Sequence, residues 1–481
     1  MGNLTNSLLL HAFCFLFVCN DVLAQPALRD GQSPPSGQDA QVKERVVVRA
    51  RPLDSVAASV SVIDEETIED ANVRTVAELL EYVVGARVLS SGSRGGPATI
   101  QLRGGDPNFV LVLLDGVPLN DPTDVEGGAV NLSSIPTSSV KQIEVVRGPL
   151  SYFYGSTALS GIVNITTRRG TTKKPQVRAS VEGGGNALVR GDASVAGMAG
   201  GGDYYLGFDW EQQAGHVGDD EFQQANLQGS FAVPMGEGAT LRLSTRAALW
   251  EADDYPESSG GPMFGSGDLR HAQVSELDVG ADLNWSNTDV WHNRFITTFY
   301  RRGMDRESPG VSYFVPPSVE ATSYWHLRSG WLTTYDLSTV ARISAGLDID
   351  HENGKNVSML FLPPFFGGDV SGDYVLSRTT PGTFVEATAS VGDLSVEAGL
   401  RADFPGGRDT EWSPRVGVRY PVGQSGTEIR GTASRSFKLP SFFALSSPLQ
   451  LGGNPELRPE ISVGVDVGID HRVADWDLTA S

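Results

Sequence analysis

Residues 203–211 read Asp-Tyr-Tyr-Leu-Gly-Phe-Asp-Trp-Glu, a stretch of period two. Tyr204, Leu206, Phe208 and Trp210 fall on one side of an extended chain, and Asp203, Tyr205, Gly207, Asp209 and Glu211 on the other. The alternation recurs in Leu241, Leu243, Thr245, Ala247 and Leu249, in Leu277, Val279, Ala281, Leu283 and Trp285, and in Leu394, Val396, Ala398, Leu400 and Ala402. Ile461, Val463, Val465, Val467 and Ile469 repeat it near the end. The opposite face carries Asp, Glu, Arg, Ser and Gly, which a large membrane barrel turns toward a wet lumen. A solvated β-sandwich shares the alternation. Repeated runs of about ten residues, parted by short turns and by long polar loops at 212–224, 251–268 and 353–373, favour an antiparallel transmembrane β-barrel. At roughly 21 residues per strand with its share of turn, residues 177–481 supply about 14 or 15 strands.

Upstream of residue 177 the pattern changes. Residues 51–176 read as a mixed α/β domain, so the whole is mainly β with an N-terminal α/β unit. Thr75 with Glu78 makes a capping box, Val76, Leu79, Leu80 and Val83 fall at helical spacing, and Gly85 can close the helix. Phe109–Leu113 and Val117–Leu119 flank Leu114-Asp115-Gly116, where Asp-Gly signals a hairpin. Ile143–Val146 and Ile162–Ile165 read as further strands. Charge follows the same division. Residues 177–481 hold 22 Lys and Arg against 40 Asp and Glu, while residues 25–176 are nearly neutral with 15 against 17. A net charge of -21 argues against nucleic acid as a partner.

The chain opens with a twelve-residue run, Leu8–Cys19, broken only by His11 and followed by the small-residue site Val22-Leu23-Ala24. Residues 1–24 therefore read as a secretory signal peptide. Cys14 and Cys19 precede the cleavage site, so the mature chain is expected to lack cysteine. Residues 25–43, rich in Gln, Pro, Gly and Ser, read as a flexible linker. No later stretch reaches 18 apolar residues, so membrane residence must come from strands. The seven histidines are scattered, and neither a metal-ligand pair nor a phosphate-binding loop is present, so nothing supports an enzyme or a cofactor. Asp219-Asp220-Glu221 and Asp253-Asp254 could hold calcium, though acids clustered on a loop are more often simply solvated.

Four motifs in order resemble the TonB-dependent outer-membrane receptors. They are Leu102-Arg103-Gly104 with residues 108–119; Ile143–Pro149 with Tyr154-Gly155 and on to Ile165; Phe437–Phe442; and Gly453–Glu460. The resemblance implies a plug domain over 51–176 inside a barrel of about 22 strands, in the outer membrane of a Gram-negative-type bacterium and surrounded by its lipid. Its plug motifs fall on Arg103, Gly104, Asp115, Gly116, Arg147, Gly148, Tyr154 and Gly155. Arg103 and Arg147 are candidates to pair with acids of the wall, or else with carbonyls inside the plug. Glu44-Arg45-Val46-Val47-Val48-Arg49-Ala50 stands where such receptors carry the TonB box, a β-branched strand suited to joining the sheet edge of periplasmic TonB. Val46–Val48 can also be read as the first plug strand, but the resemblance favours the box, and both can hold at different stages of a cycle.

The resemblance implies energised import of a scarce small chelate or vitamin. The spacing of the plug motifs is most like the cobalamin-receptor branch, with ferric siderophore receptors as the alternative and a passive pore or non-transporting fragment as another class. Apex contacts to ligand are expected from Ser91, Ser93, Arg94, Asp106, Asn108, Asn120, Asp121, Thr123 and Asp124. The strand count falls short of the family's, and Asp477–Ser481 ends inside a strand with no terminal aromatic residue. A barrel truncated by roughly 150 residues is the expectation.

Overall fold

The computed structural model describes residues 59–480 except 91–93, 216–220, 237, 255–267, 312–315, 424–425 and 474–475. The signal peptide, the linker and Glu44–Ala50 lie outside the described residues, as do Ser91, Ser93, Asp219 and Asp220.

The plug runs β1 (Ser59–Ile63), α1 (Glu65–Ala71), α2 (Val76–Leu80), β2 (Ala86–Ser90), β3 (Ala98–Leu102), β4 (Val110–Leu114), β5 (Val117–Pro118), β6 (Val140–Arg147), α3 (Ser151–Tyr154) and β7 (Gly161–Thr167). Five strands form a sheet in the order β1-β6-β7-β4-β5, with β4 and β7 parallel. Asp115 and Gly116 both have positive φ, 48° and 86°, which gives the two-residue turn that Asp-Gly favours between antiparallel strands. Thr75 caps α2 by accepting from the Glu78 amide, while its own hydroxyl donates to the Glu78 carboxylate at 3.0 Å. The helix stops at Leu80, short of Gly85. Tyr82 and Val83 close turns onto the Leu79 and Leu80 carbonyls, so Val83 is buried from a turn rather than from a further helical turn.

The second sheet comprises β8 (Gln176–Gly183), β9 (Val189–Ala199), β10 (Gly202–Ala214), β11 (Glu221–Pro234), β12 (Ala239–Asp254), β13 (Arg270–Thr288), β14 (Trp291–Ser308), β15 (Ser318–Ser338), β16 (Ala341–Leu360), β17 (Val370–Ser371), β18 (Tyr374–Val391), β19 (Leu394–Asp403), β20 (Glu411–Pro421), β21 (Thr427–Lys438), β22 (Glu460–Val473) and β23 (Trp476–Ala480). Each strand pairs antiparallel with the next, except that β16 takes both the short β17 and β18. Among the described residues β8 pairs only with β9, and β23 only with β22. A short helix, α4 (Phe442–Ser446), follows β21.

Leu206, Phe208, Leu243 and Leu277 point outward and are exposed, whereas Tyr205, Asp209, Arg246 and Asp278 point inward and are buried. The strands outrun the loops expected from sequence. Residues 353–360 belong to β16, 212–214 to β10 and 251–254 to β12. These ends lie beyond the apolar stretch, where neither face needs to be greasy and the period fades while the ladder continues. The outward face of β14 marks the change, running Trp291, Phe295 and Phe299 and then Arg301, Asp305 and Glu307. Among the described residues no helix is long and apolar enough to cross a membrane.

Candidate functional site

Contacts between plug and wall come from many strands and are mostly polar, with an apolar seam where Tyr300, Tyr324, Tyr374 and Phe442 join the plug's core. Near β8, Arg74 meets Glu182 at 2.9 Å, and Arg178 and Arg168 share Glu65 and Glu69 of α1. Arg94 grips Glu211 of β10 with Nε and Nη2 at 2.7 and 2.8 Å, donates to the Ser133 carbonyl, and lies 4.3 Å over the Phe222 ring. The two plug arginines take different partners. Arg103 reaches Asp466 of β22, which also receives Arg430 at 3.1 Å. Arg147 is buried and donates to Ser59, Ser61 and the Val84 carbonyl inside the plug. Gly104 is exposed with a φ of 76°, and Gly148 turns the chain with a φ of 111°.

Gly155 has a structural reason to lack a side chain. A Cβ there would lie 3.1 Å from Arg401 Nη2 and 3.3 Å from Asp403 Oδ1, and φ is 73°. Arg401 is wholly buried between Asp348 and Asp403, so the plug rests directly on a paired charge cluster of the wall. Next to it, Arg328 donates to the Tyr154 carbonyl at 3.1 Å. Burial pushes the Tyr154 phenol up to about 12.

On the side of the long loops, the turn after β5 forms the plug apex. Asp121 accepts from the Thr123 amide at 2.9 Å and from Arg302 Nη1 of β14 at 3.1 Å, while Asp124 lies 3.7 Å from the same guanidinium. Burial pushes the Asp124 carboxyl up to about 7, against the opposing pull of Arg302. The Tyr374 hydroxyl donates to the Thr123 carbonyl, Lys438 to the Gly127 carbonyl at 3.1 Å, and the Phe442 amide of α4 to the Pro122 carbonyl at 2.9 Å. A cleft with about 700 Å³ of open space lies beside this turn, lined by Asp121, Asp124, Glu126, Asp254, Glu276, Arg270, Arg302 and Arg306, with Tyr300 and Trp250.

The residues expected at the apex divide accordingly. Asp121 and Asp124 line the cleft, and both are held by Arg302. Asn120 is buried in a structural role, accepting from the Val112 amide and donating to the Val110 and Gly128 carbonyls. Thr123 is buried beneath Tyr374, and Arg94 ties plug to wall. Asp106 is exposed before a turn of 3-10 helix, while Asn108 is half-buried beside Gly127. Sequence reasoning missed Arg302, Tyr374 and Phe442. The one available signal was a basic side chain on the inward phase of a strand, which does not reveal what it meets.

Asp253 and Asp254 both face basic side chains, His271 and Arg270, each at 2.8 Å, and that weakens them as calcium ligands. Among the described residues no group of three or more His, Cys, Asp or Glu side chains is placed to hold a metal ion.

A second and larger cavity, with about 2590 Å³ of open space, lies toward the short turns. The same strands β12, β13 and β14 line both cavities, the upper through Trp250, Glu276 and Tyr300 and the lower through Arg242, Asp282 and Arg294. Between them the β4–β5 hairpin presses on the wall, so that a Cβ at Gly116 would lie 3.2 Å from Ile296 Cδ1.

The TonB-dependent Receptor Plug Domain family matches residues 52–162, and the TonB dependent receptor-like, beta-barrel family matches residues 209–481. The chain is 26% identical over 450 residues to the Vitamin B12 transporter BtuB of Vibrio vulnificus strain CMCP6, and 28% identical over 468 residues to that of strain YJ016. Each match spans 90% of this chain and 68% of the relative. Among solved structures, the siderophore receptor PirA from Acinetobacter baumannii superposes with a TM-score of 0.70 at 17% identity, over 87% of this chain and 69% of that one. Such a distant likeness establishes the fold and not the ligand. The family comprises receptors and transporters rather than enzymes. Since the barrel family alone covers more than half of its length, this chain belongs to the TonB-dependent receptors of the outer membrane.

Proposed function

We propose that this receptor imports a scarce vitamin or chelate, cobalamin or a close relative, by work that TonB delivers through Glu44–Ala50. The observation that carries the reading is the charge of the apex cleft, where five carboxylates face three guanidiniums. A net negative cleft disfavours an anionic ferric chelate and suits a bulky ligand of little net charge. The vitamin B12 transporters among its relatives support the same choice. Import needs work because a ligand held tightly enough to be captured when scarce must still be released. Val46–Val48 would supply that coupling by adding as a strand to TonB, and Val47→Pro removes a backbone donor from it.

The test is uptake and surface binding of radiolabelled cyanocobalamin in cells lacking their own receptor. In an intact receptor the parent sequence should bind and import, and the Val47→Pro variant should bind without importing. Binding of a ferric catecholate in place of cyanocobalamin would turn the reading to the siderophore alternative. Equal uptake by parent and variant would remove Glu44–Ala50 from the mechanism.

A further inference from the structure

Charges lining the lower cavity are mostly matched. Arg242 holds Asp203 at 2.7 Å, Arg294 holds Asp282 at 2.9 Å, and Arg328 lies 3.8 Å from both Asp348 and Asp350. The plug's own carboxylates are satisfied by neutral donors: Asp115 accepts from the Thr167 amide at 3.1 Å, and Glu144 accepts from Gln142 and Asn164 at 2.8 and 2.9 Å. Two cations break the pattern. Among the described residues, Lys141 and Arg169 line this cavity with neither a hydrogen bond nor an ion pair, and Arg169 Nε is buried without an acceptor. Both sit at one end of the β6–β7 ladder, where Val140 pairs with Thr167.

A buried N–H with no acceptor is uncommon in folded proteins, and a half-buried guanidinium with no carboxylate in contact adds to that cost. Burial, and then the charge of Arg242, lower the Arg169 pKa, while Asp115, Asp203 and Asp282 oppose them only from beyond ion-pair distance. A bound anion would relieve both. The cavity is roomy and polar enough to admit one, and it lies below the apex cleft along the same three strands, with the β4–β5 hairpin and the Arg246–Asp278 pair between.

We propose that the lower cavity is a second station for the cargo, where Lys141 and Arg169 hold a phosphate or carboxylate group after the ligand passes the β4–β5 hairpin. The assignment rests on the import reading and deepens it, because cobalamin carries a phosphodiester. In the upper cleft Arg270, Arg302 and Arg306 already face carboxylates, whereas Lys141 and Arg169 below have none in contact, so an acidic group is held better on the inner side of the hairpin.

The test uses the full chain in detergent with Cys14→Ser, Cys19→Ser and a reporter, Ser244→Cys, on the cavity wall. The rate of modification by a sulfonate-bearing methanethiosulfonate is measured with dimethyl phosphate, with citrate, or with chloride at equal ionic strength. In the Lys141/Arg169 background, at least one of the two anions should slow labelling about threefold or more at about 10 mM. Protection by dimethyl phosphate alone would mark a phosphate-bearing cargo, and protection by citrate alone a carboxylate-bearing one. Lys141→Gln with Arg169→Gln should abolish protection, and the charge-keeping pair Lys141→Arg with Arg169→Lys should restore it. Labelling indifferent to both anions, or protection that survives the double glutamine variant, overturns the proposal. Because this readout needs neither TonB nor uptake, protection without cyanocobalamin import would sink the import reading alone, and import without protection would sink the station alone.

Discussion

Ile63, Val76, Leu80, Val145 and Ile165 fill the centre of the plug, whereas Arg246, Arg401 and Arg430, just as deeply buried, stand on the lumenal face of the wall. The two regions are both dry, yet they hold together by different physics. The plug's centre is stabilised by removing apolar surface from water, which nothing in the lumen can replace. Its boundary with the wall is mostly ion pairs and hydrogen bonds, including Arg302 with Asp121, Arg94 with Glu211 and Ser151 with Ser436 and Phe437, beside an aromatic seam where Tyr300, Tyr324, Tyr374 and Phe442 join the plug's apolar cluster. Entering water can replace each of those polar contacts with one of similar strength. Most of the plug's seat can therefore change without exposing its centre, whereas parting from the aromatic seam would bare apolar surface.

The sharpest way to break this contrast is to leave a boundary charge dry and alone. Arg302→Met strands Asp121 and Asp124, and about 3–5 kcal/mol should be lost from plug docking. Adding Asp121→Asn and Asp124→Asn to it should recover most of that loss. Protease sensitivity of the plug against denaturant reads both, and a triple variant as weak as the single one would refute a boundary held by matched charge. Inside the plug, Leu79→Ala should cost about 2–5 kcal/mol through the cavity it opens, with no rescue by neighbouring polar changes. Arg103→Ala should lose about 1 kcal/mol or less, because its side chain remains about a third exposed beside Asp466.

The last comparison concerns acidity. Asp124 holds its proton more tightly when folded than when unfolded, since its folded pKa of about 7 lies above the ordinary aspartate value. That stabilisation is complete below about pH 4 and disappears as pH rises through about 7. The midpoint of thermal unfolding should fall more steeply across this window in the parent than in Asp124→Asn, and parallel curves would show that Asp124 titrates normally.

The fold was legible wherever local pattern and burial agree. The alternation at 203–211 reads directly as β10, and Asp115-Gly116 as the hairpin turn, since both are set by backbone geometry and by which face meets lipid. Strand ends were less legible, because β16 continues past Asn353 where no lipid imposes a period. The site was read least well. Arg103 and Arg147 occupy similar Arg-Gly contexts and yet meet a wall aspartate and plug hydroxyls respectively, a difference fixed by strands far away in sequence. Asn120, expected as a ligand contact, has its side chain engaged in holding the hairpin, which no local pattern announced.

The change on the outer face of β14 also fixes how high the entrance stands. The apolar run from Trp291 to Phe299 is close to the span of about 9–11 residues that a tilted strand spends in hydrocarbon. The neighbouring β15 extends through 21 residues. At about 3.3 Å per residue and a tilt near 45°, such a strand rises about 50 Å against a hydrocarbon core of about 30 Å. The rim then stands about 20 Å above the hydrocarbon and about 13 Å above the headgroups, more than one Debye length of about 8 Å in physiological salt. An arriving molecule is therefore screened from the charge of the bilayer surface and is sorted by the acidic rim and loops of the protein itself.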